Sequence, residues 1–188
     1  MGIGTTNPVR KLEVVSDSLT MCCSGIFALT AYAPSSTPYI VSRSARGTSA
    51  SPAAVQADDL LGGISAGGYD GSAFWSSAFY DFIATQQWSA TARGSRMDFY
   101  TTPNDTTSSV LRMRIDQSGN VGIATTTPSW LLNPSSASAS QLALSAGAGV
   151  AQWAFRNAGG NLYFATTTVG GDNSTTTISA LEIAGGGF

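Results

Sequence analysis

Residues 111–128 combine a half-buried strand, a tight turn and a returning strand in one run. Leu111, Met113 and Ile115 alternate with Arg112, Arg114 and Asp116, the period-2 pattern of a strand with one face toward a core. Gln117-Ser118-Gly119-Asn120 supplies the turn, because Gly and Asn tolerate positive φ. Val121 and Ile123 resume the alternation. A threonine run and Pro128, which has no N–H to give to a ladder, end the pairing. The returning half also opens the chain. Met1-Gly2-Ile3-Gly4-Thr5-Thr6-Asn7-Pro8 aligns with Val121-Gly122-Ile123-Ala124-Thr125-Thr126-Thr127-Pro128, and Leu12 recurs at Leu132. The expectation is a piece of a longer repetitive protein, cut at a module boundary, with Met1 supplied as a start.

The run 112–128, Arg-Met-Arg-Ile-Asp-Gln-Ser-Gly-Asn-Val-Gly-Ile-Ala-Thr-Thr-Thr-Pro, resembles the repeated RIDSSGNVGIGTTSP signature of bacteriophage tail-fibre and tailspike proteins, which large repetitive bacterial surface proteins also carry. The resemblance continues backwards through Arg46-Gly47-Thr48, Ser51-Pro52, Gly62-Gly63-Ile64, Gly68-Tyr69, Trp88, Thr91 and residues 99–104, and so covers about 43–128. It implies a parallel homotrimeric fibre, a virion location, and a structural, host-attaching role against a cell-surface glycan or protein receptor. Two other readings stay open: a segment of a bacterial surface adhesin, with a cell-surface location, and a polysaccharide-degrading tailspike.

Composition bounds the function. Of 188 residues only 11% are charged, Lys and Arg total 9 and the net charge is −2, so the clustered positive charge of a nucleic-acid groove is missing. Yet 43% hydrophobic and 10% aromatic residues are too many for a disordered linker, and 21 glycines point to a β-rich chain with many turns. So neutral a surface is expected to be hidden partly against identical chains. The start has neither the basic region nor the apolar core of a secretory leader, and no run is long and apolar enough to span a bilayer as a helix. The resembling phage proteins need neither, since they assemble in the host cytoplasm.

The fold class expected is all-β: short antiparallel meanders in sandwich-like modules. The first module is 1–120, with an aromatic and glycine-rich insertion at about 48–94; the second, 121–188, is shorter, with truncation an open reading. Residues 9–15 read as a strand or a helical turn, 19–32 as two strands or one bent strand, 39–43 as a strand and 44–47 as its turn. Residues 58–66 lead from a turn into a strand, and 67–71 read as a glycine loop. In residues 74–83, Phe74, Trp75, Phe79 and Phe82 fit one face of a short helix, while from Tyr80 onward the pattern suits a strand; 95–124 form an antiparallel meander. In the second module 143–146, 155–160, 161–166 and 178–183 echo parts of the first, with 170–174 as a turn.

Catalysis needs an acid, a base or an activated nucleophile. With no histidine, neither a Ser-His nor a Cys-His pair is available. The carboxylates Asp58, Asp59, Asp70, Asp81, Asp98 and Asp116 leave paired-carboxylate glycoside hydrolysis as the one enzyme reading, with Asp70 and Asp81 as its candidates; the competing reading makes each a turn or solvated strand residue. No cofactor is expected, and the chain is read as non-enzymatic. Adjacent Cys22 and Cys23 point to opposite faces of a strand and, without histidine, make no zinc site. Asp58-Asp59 and Asp172-Asn173 offer too few oxygens for calcium, so no metal site is expected. The ligand-binding candidates are Tyr69, Asp70, Trp75, Tyr80 and Trp88, which could stack on and hydrogen-bond a sugar or simply pack in a core. The face of Arg112, Arg114 and Asp116 reads as solvated strand or as a charge ladder between chains.

Overall fold

The computed structural model describes residues 1–3, 6–9, 11–14, 40–144, 152–166 and 181–183. Every regular element among them is a β-strand. The readings at 19–32, Cys22, Cys23, 170–174 and Asp172-Asn173 lie outside the described residues. The chain divides into two units, Met1–Val41 and Ser42–Phe188.

In the first unit β1 (Gly2–Ile3) runs parallel to β2 (Glu13–Val14), with Gly2 opposite Glu13 and Ile3 opposite Val14. The N-terminal amine donates to the Lys11 carbonyl at 2.6 Å. Ile40 and Val41, expected in a strand, stand outside any strand at 70% and 65% exposure: β-branched residues make no strand without a partner to pair with.

In the second unit β3 (Arg46–Thr48) and β4 (Ser51–Ala53) form a small hairpin. Its turn falls at 49–50, later than the sequence suggested, because Arg46 is anchored to Asp59, Nε to Oδ2 at 2.6 Å. The main sheet contains β5 (Leu60–Tyr69), β6 (Phe74–Ala84), β7 (Ser95–Thr101), β8 (Val110–Ile115), β9 (Val121–Ile123) and β10 (Leu132–Pro134), neighbours in that order. All pairings are antiparallel except β9 with β10. The helical alternative for 74–83 gives way to a continuous strand. Gly67 to Tyr69 continue β5 rather than looping, because a bulge after Ala66 resets the register so that Tyr69 meets Phe74; the loop is residues 70–73.

The two copies of the repeat fold alike. In the second, Gly122 stands opposite Asn133 and Ile123 opposite Pro134, and the Val121 amide donates to the Leu131 carbonyl at 2.9 Å. Each of these matches β1–β2 position for position, including the Met1 to Lys11 bond. The segment after Pro128, read from sequence only as the end of pairing, thus returns as a parallel strand.

The register sorts the main sheet's side chains onto two unlike faces. One face carries the row Ile64, Tyr80, Phe99, Met113, Ile123 and Pro134, and beside it Gly62, Phe82, Met97, Ile115, Val121 and Leu132. No charged side chain interrupts it. The opposite face carries Gly63, Asp81, Asp98, Arg114, Gly122 and Asn133 through its middle. Leu111 joins this second face, because a bulge at Arg112 sets Leu111 opposite Tyr100 and breaks the alternation expected along β8.

Burial does not follow polarity. The fully buried side chain of the main sheet's centre is Asp98, at 0% exposure, whereas Ile64, Ile123 and Leu132 of the apolar face are 54%, 40% and 66% exposed. Among the described residues the strands pack appreciably only against their neighbours within a sheet, so no second layer of strands covers the apolar face. A small core of Val55, Ile83 and Ala84 closes one end of the sheet.

The second sheet contains β11 (Leu142–Leu144), β12 (Trp153–Ala158), β13 (Asn161–Thr166) and β14 (Leu181–Ile183), all antiparallel. Gly159 and Gly160, both at positive φ (59° and 84°), make the two-residue turn between β12 and β13, a backbone shape only glycine adopts freely at both positions. Its pattern repeats the main sheet's. Leu142, Leu144, Trp153 and Leu162 share one side and are 52%, 57%, 52% and 37% exposed, while Ala154 and Ala165 on the other are buried.

Candidate functional site

The β5–β6 hairpin outruns the rest of the sheet. The last pairing of β6 with β7 is Ala78 with Thr101, so Gly67 to Tyr69 and Phe74 to Ser76 form a two-stranded ribbon beyond it. Asp70 builds the ribbon's tip. Its Oδ1 accepts from the Ser72 amide (2.7 Å), the Ser72 hydroxyl (2.8 Å) and the Ala73 amide (2.9 Å). These bonds, the Ala73 amide first, hold the carboxyl down to about 2, so it is ionised at neutral pH. Tyr69 donates its hydroxyl to the Gly71 carbonyl at 3.0 Å and leans on Phe74, with ring centroids 5.2 Å apart.

Beside the tip is an open groove of about 590 Å³ lined by Asp70, Trp75, Ser76, Ser77, Thr102, Thr106 and Thr107. Trp75 is 64% exposed. The Thr102 hydroxyl ties the 102–107 loop to the ribbon by donating to the Ser77 carbonyl at 3.0 Å.

Of the sequence-predicted ligand residues, the structure brings Tyr69, Asp70 and Trp75 to this tip and leaves the other two elsewhere. Tyr80 sits in the body of the apolar face, packed edge-on against Phe82 and tilted against Phe99. Trp88 pins a loop: its indole N–H donates to the Gly94 carbonyl at 3.1 Å and its amide to the Val55 carbonyl at 3.0 Å. The hydroxyl-bearing residues 76, 77, 102, 106 and 107 were missed, because they come from segments separated in sequence and no short motif joins them.

A second constellation lies on the polar face. The buried Asp98 carboxylate receives Arg114 twice, Nε to Oδ1 at 2.7 Å and Nη2 to Oδ2 at 2.6 Å, and Arg96 Nε at 3.2 Å. Arg96 continues to Asp58 at 2.9 Å, and Arg114 to the Thr126 carbonyl at 2.7 Å. Burial pushes the Asp98 carboxyl up, but the Arg114 and Arg96 bonds and charges outweigh it and hold the group below the ordinary range. Asp81, its cross-strand neighbour, is raised, first by desolvation and then by the Asp98 charge. Arg114 and Asp98 are therefore not solvated strand residues: they are one intramolecular ion pair. Both Asp98 oxygens are engaged by arginine, so Asp98 offers no free carboxylate to pair with Asp81 for glycoside hydrolysis.

The same cluster explains the signature. Asp116 Oδ1 accepts the amides of Ser118 and Asn120, each at 2.8 Å, which shapes the turn. These amides offset the desolvation that pushes the Asp116 carboxyl up and leave it below its usual value. The Asn120 side chain donates to Asp116 (3.2 Å) and to the Pro128 carbonyl (3.3 Å). Gly122 must lack a side chain, since a Cβ there would stand 2.8 Å from the Thr125 methyl and 3.3 Å from Pro128. Ala124 takes the left-handed conformation, φ 56°.

Among the described residues no group of His, Cys, Asp or Glu could hold a metal ion, and no helix is long and apolar enough to cross a membrane. The Asp58-Asp59 pair is committed to arginines: Asp59 to Arg46, whose hydrogen bond together with the Gln56 amide lowers it to about 2, and Asp58 to Arg96.

No family model and no curated protein matches the chain. Among solved structures it is similar to the carboxy-terminal domain of the bacteriophage T5 L-shaped tail fibre, at 23% identity and a TM-score of 0.47 over 54% of this chain and 36% of that one. The same domain solved with its intra-molecular chaperone domain matches at 24% identity and a TM-score of 0.47, over 54% of this chain and 25% of that one. The chain thus spans between a quarter and just over a third of the length of these two structures.

Proposed function

We propose that this chain is a non-enzymatic structural and receptor-binding segment of a phage tail fibre, assembled as a parallel homotrimer on the virion. The observation that carries the reading is the apolar face of the main sheet. Stable domains stack at least two layers around a core. Here Phe82, Met97, Phe99 and Met113 stand on a sheet face that no other described strand covers. Each such partly buried side chain gains up to about 1 kcal/mol on further burial, and the second sheet offers a face of the same kind.

Three copies around one axis supply the missing layer and leave the main sheet's polar face outward. The parallel return of β10 on β9, matched in register by β2 on β1, suits a fibre built by adding modules along an axis. Attachment then works by avidity, several weak contacts adding through effective concentration. Light scattering on the purified chain tests the reading: it predicts the mass of three chains and no release of reducing ends from bacterial polysaccharide.

A further inference from the structure

We propose that the groove at the β5–β6 ribbon tip is a binding site for a neutral carbohydrate, with Trp75 as the stacking surface and the hydroxyls of the 102–107 loop as polar contacts. The proposal deepens the attachment reading and rests on it for its biological role, though not for its geometry.

The volume of about 590 Å³ falls within the ~300–1,000 Å³ typical of small-ligand sites. Its chemistry is selective. Ser76, Ser77, Thr102, Thr106 and Thr107 contribute hydroxyls, while no Lys or Arg lines the groove. Among the described residues the hydroxyls of Ser76, Ser77 and Thr107 make no hydrogen bond. Those of Thr102 and Thr106 donate to the carbonyls of Ser77 and Pro103 and keep their lone pairs for another donor. A purely apolar ligand would leave these groups unpaired. An anion would meet the ionised Asp70 with no cation to offset it. A neutral polyol satisfies both conditions.

Trp75 adds an aromatic surface at the right place. It stands opposite Gly68 in the ribbon, and a Cβ at Gly68 would meet nothing within 4 Å, so the space beside the indole is open. Tyr69 and Phe74 pack on each other and Asp70 Oδ1 accepts three bonds across its turn, so the tip is preorganised. A lone surface tryptophan would have none of these neighbours: Trp130, 75% exposed, lines no part of the groove.

The test is saturation-transfer NMR of the full chain with a panel of neutral hexose oligosaccharides, uronate- and sialate-containing oligosaccharides, and amino-sugar oligosaccharides. The expected result is transfer to at least one neutral member. Trp75→Ala should weaken it about tenfold or more, Thr107→Val about threefold, and Trp130→Ala should leave it within about twofold. Circular dichroism of each variant separates loss of binding from loss of fold, and Thr107→Val keeps the test open if Trp75→Ala fails to fold. Binding confined to the anionic or amino-sugar members, no binding to any sugar, or binding untouched by Trp75→Ala and Thr107→Val each overturns the proposal. Solution mass, measured in parallel, keeps the two ideas apart. A trimer that binds no sugar removes the groove and leaves the fibre reading. A monomer that binds through Trp75 does the reverse.

Discussion

Asp98 in β7 and Arg114 in β8 face each other in the ladder, and the guanidinium grips both carboxylate oxygens at 2.6 and 2.7 Å while the carboxylate is wholly hidden from solvent. The pair does more than join two strands. Arg114 also reaches the Thr126 carbonyl, so one side chain fastens the signature turn to the polar face of the sheet.

Removing Arg114 leaves Asp98 buried with only Arg96 to offset it. Arg114→Ala is therefore expected to destabilise the chain by about 3–5 kcal/mol, the cost of breaking a buried pair, measured by chemical denaturation at neutral pH. The pair also sets an acid limit. Asp98 is held below its ordinary value, so its contribution is full above the unfolded carboxylate value near 3.8 and disappears as pH falls through the lower folded value. Stability of the parent chain should fall on acidification below about pH 4, and Asp98→Asn should flatten that fall while lowering stability at pH 7.

Asp81 has the opposite sign. Its carboxyl is raised by desolvation and by Asp98 across the ladder, so its protonated form fits the fold better. Its favourable contribution is present below the ordinary carboxylate value and is lost as pH rises through the raised folded value. Asp81→Asn is expected to stabilise the chain at pH 7 by roughly 0.2–1 kcal/mol, the scale of a like-charge cross-strand pair. The gain should vanish in melts recorded near pH 3.

Ala124 takes a left-handed conformation, φ 56°, that costs a residue with a Cβ about 1–2 kcal/mol. Glycine stands at the matching place in the first copy, Gly4. Ala124→Gly should stabilise by up to about 1 kcal/mol once the added entropy of the unfolded chain is counted, seen as a rise in melting temperature.

Met113 lies mid-row on the apolar face and Ser65 on the polar face. Under the trimer reading Met113→Arg places a charge at the interface and should reduce the assembly to single chains. Ser65→Arg should leave the mass unchanged. Equal behaviour of the two variants in sedimentation would contradict the assignment of the faces.

Strand positions were legible at 95–101 and in the hairpin at 111–123, although the bulge at Arg112, which turns Leu111 to the other face, was not. What pairs with what was not. The return of 132–134 as a parallel strand depends on a ladder to Val121 to Ile123, and nothing local announces it. Asp98 read as one carboxylate among several because its meaning lies in Arg114, sixteen residues on and one strand over. A charge between Met97 and Phe99, mid-strand, was the available signal. Tyr80 and Trp88 had the right chemistry for a ligand site and the wrong places, since sequence lists aromatics without saying which strand face or loop each one occupies. Tyr69, Asp70 and Trp75 came together because they share one short hairpin.

The solution mass of the purified chain is the most direct test of the account. Static light scattering coupled to size exclusion should give three times the 19.3 kDa of one chain, because no described strand covers the apolar face of either sheet. A mass of one chain would contradict it: the exposed Ile64 and Ile123 would then face water, and the fibre reading would lose the observation that carries it.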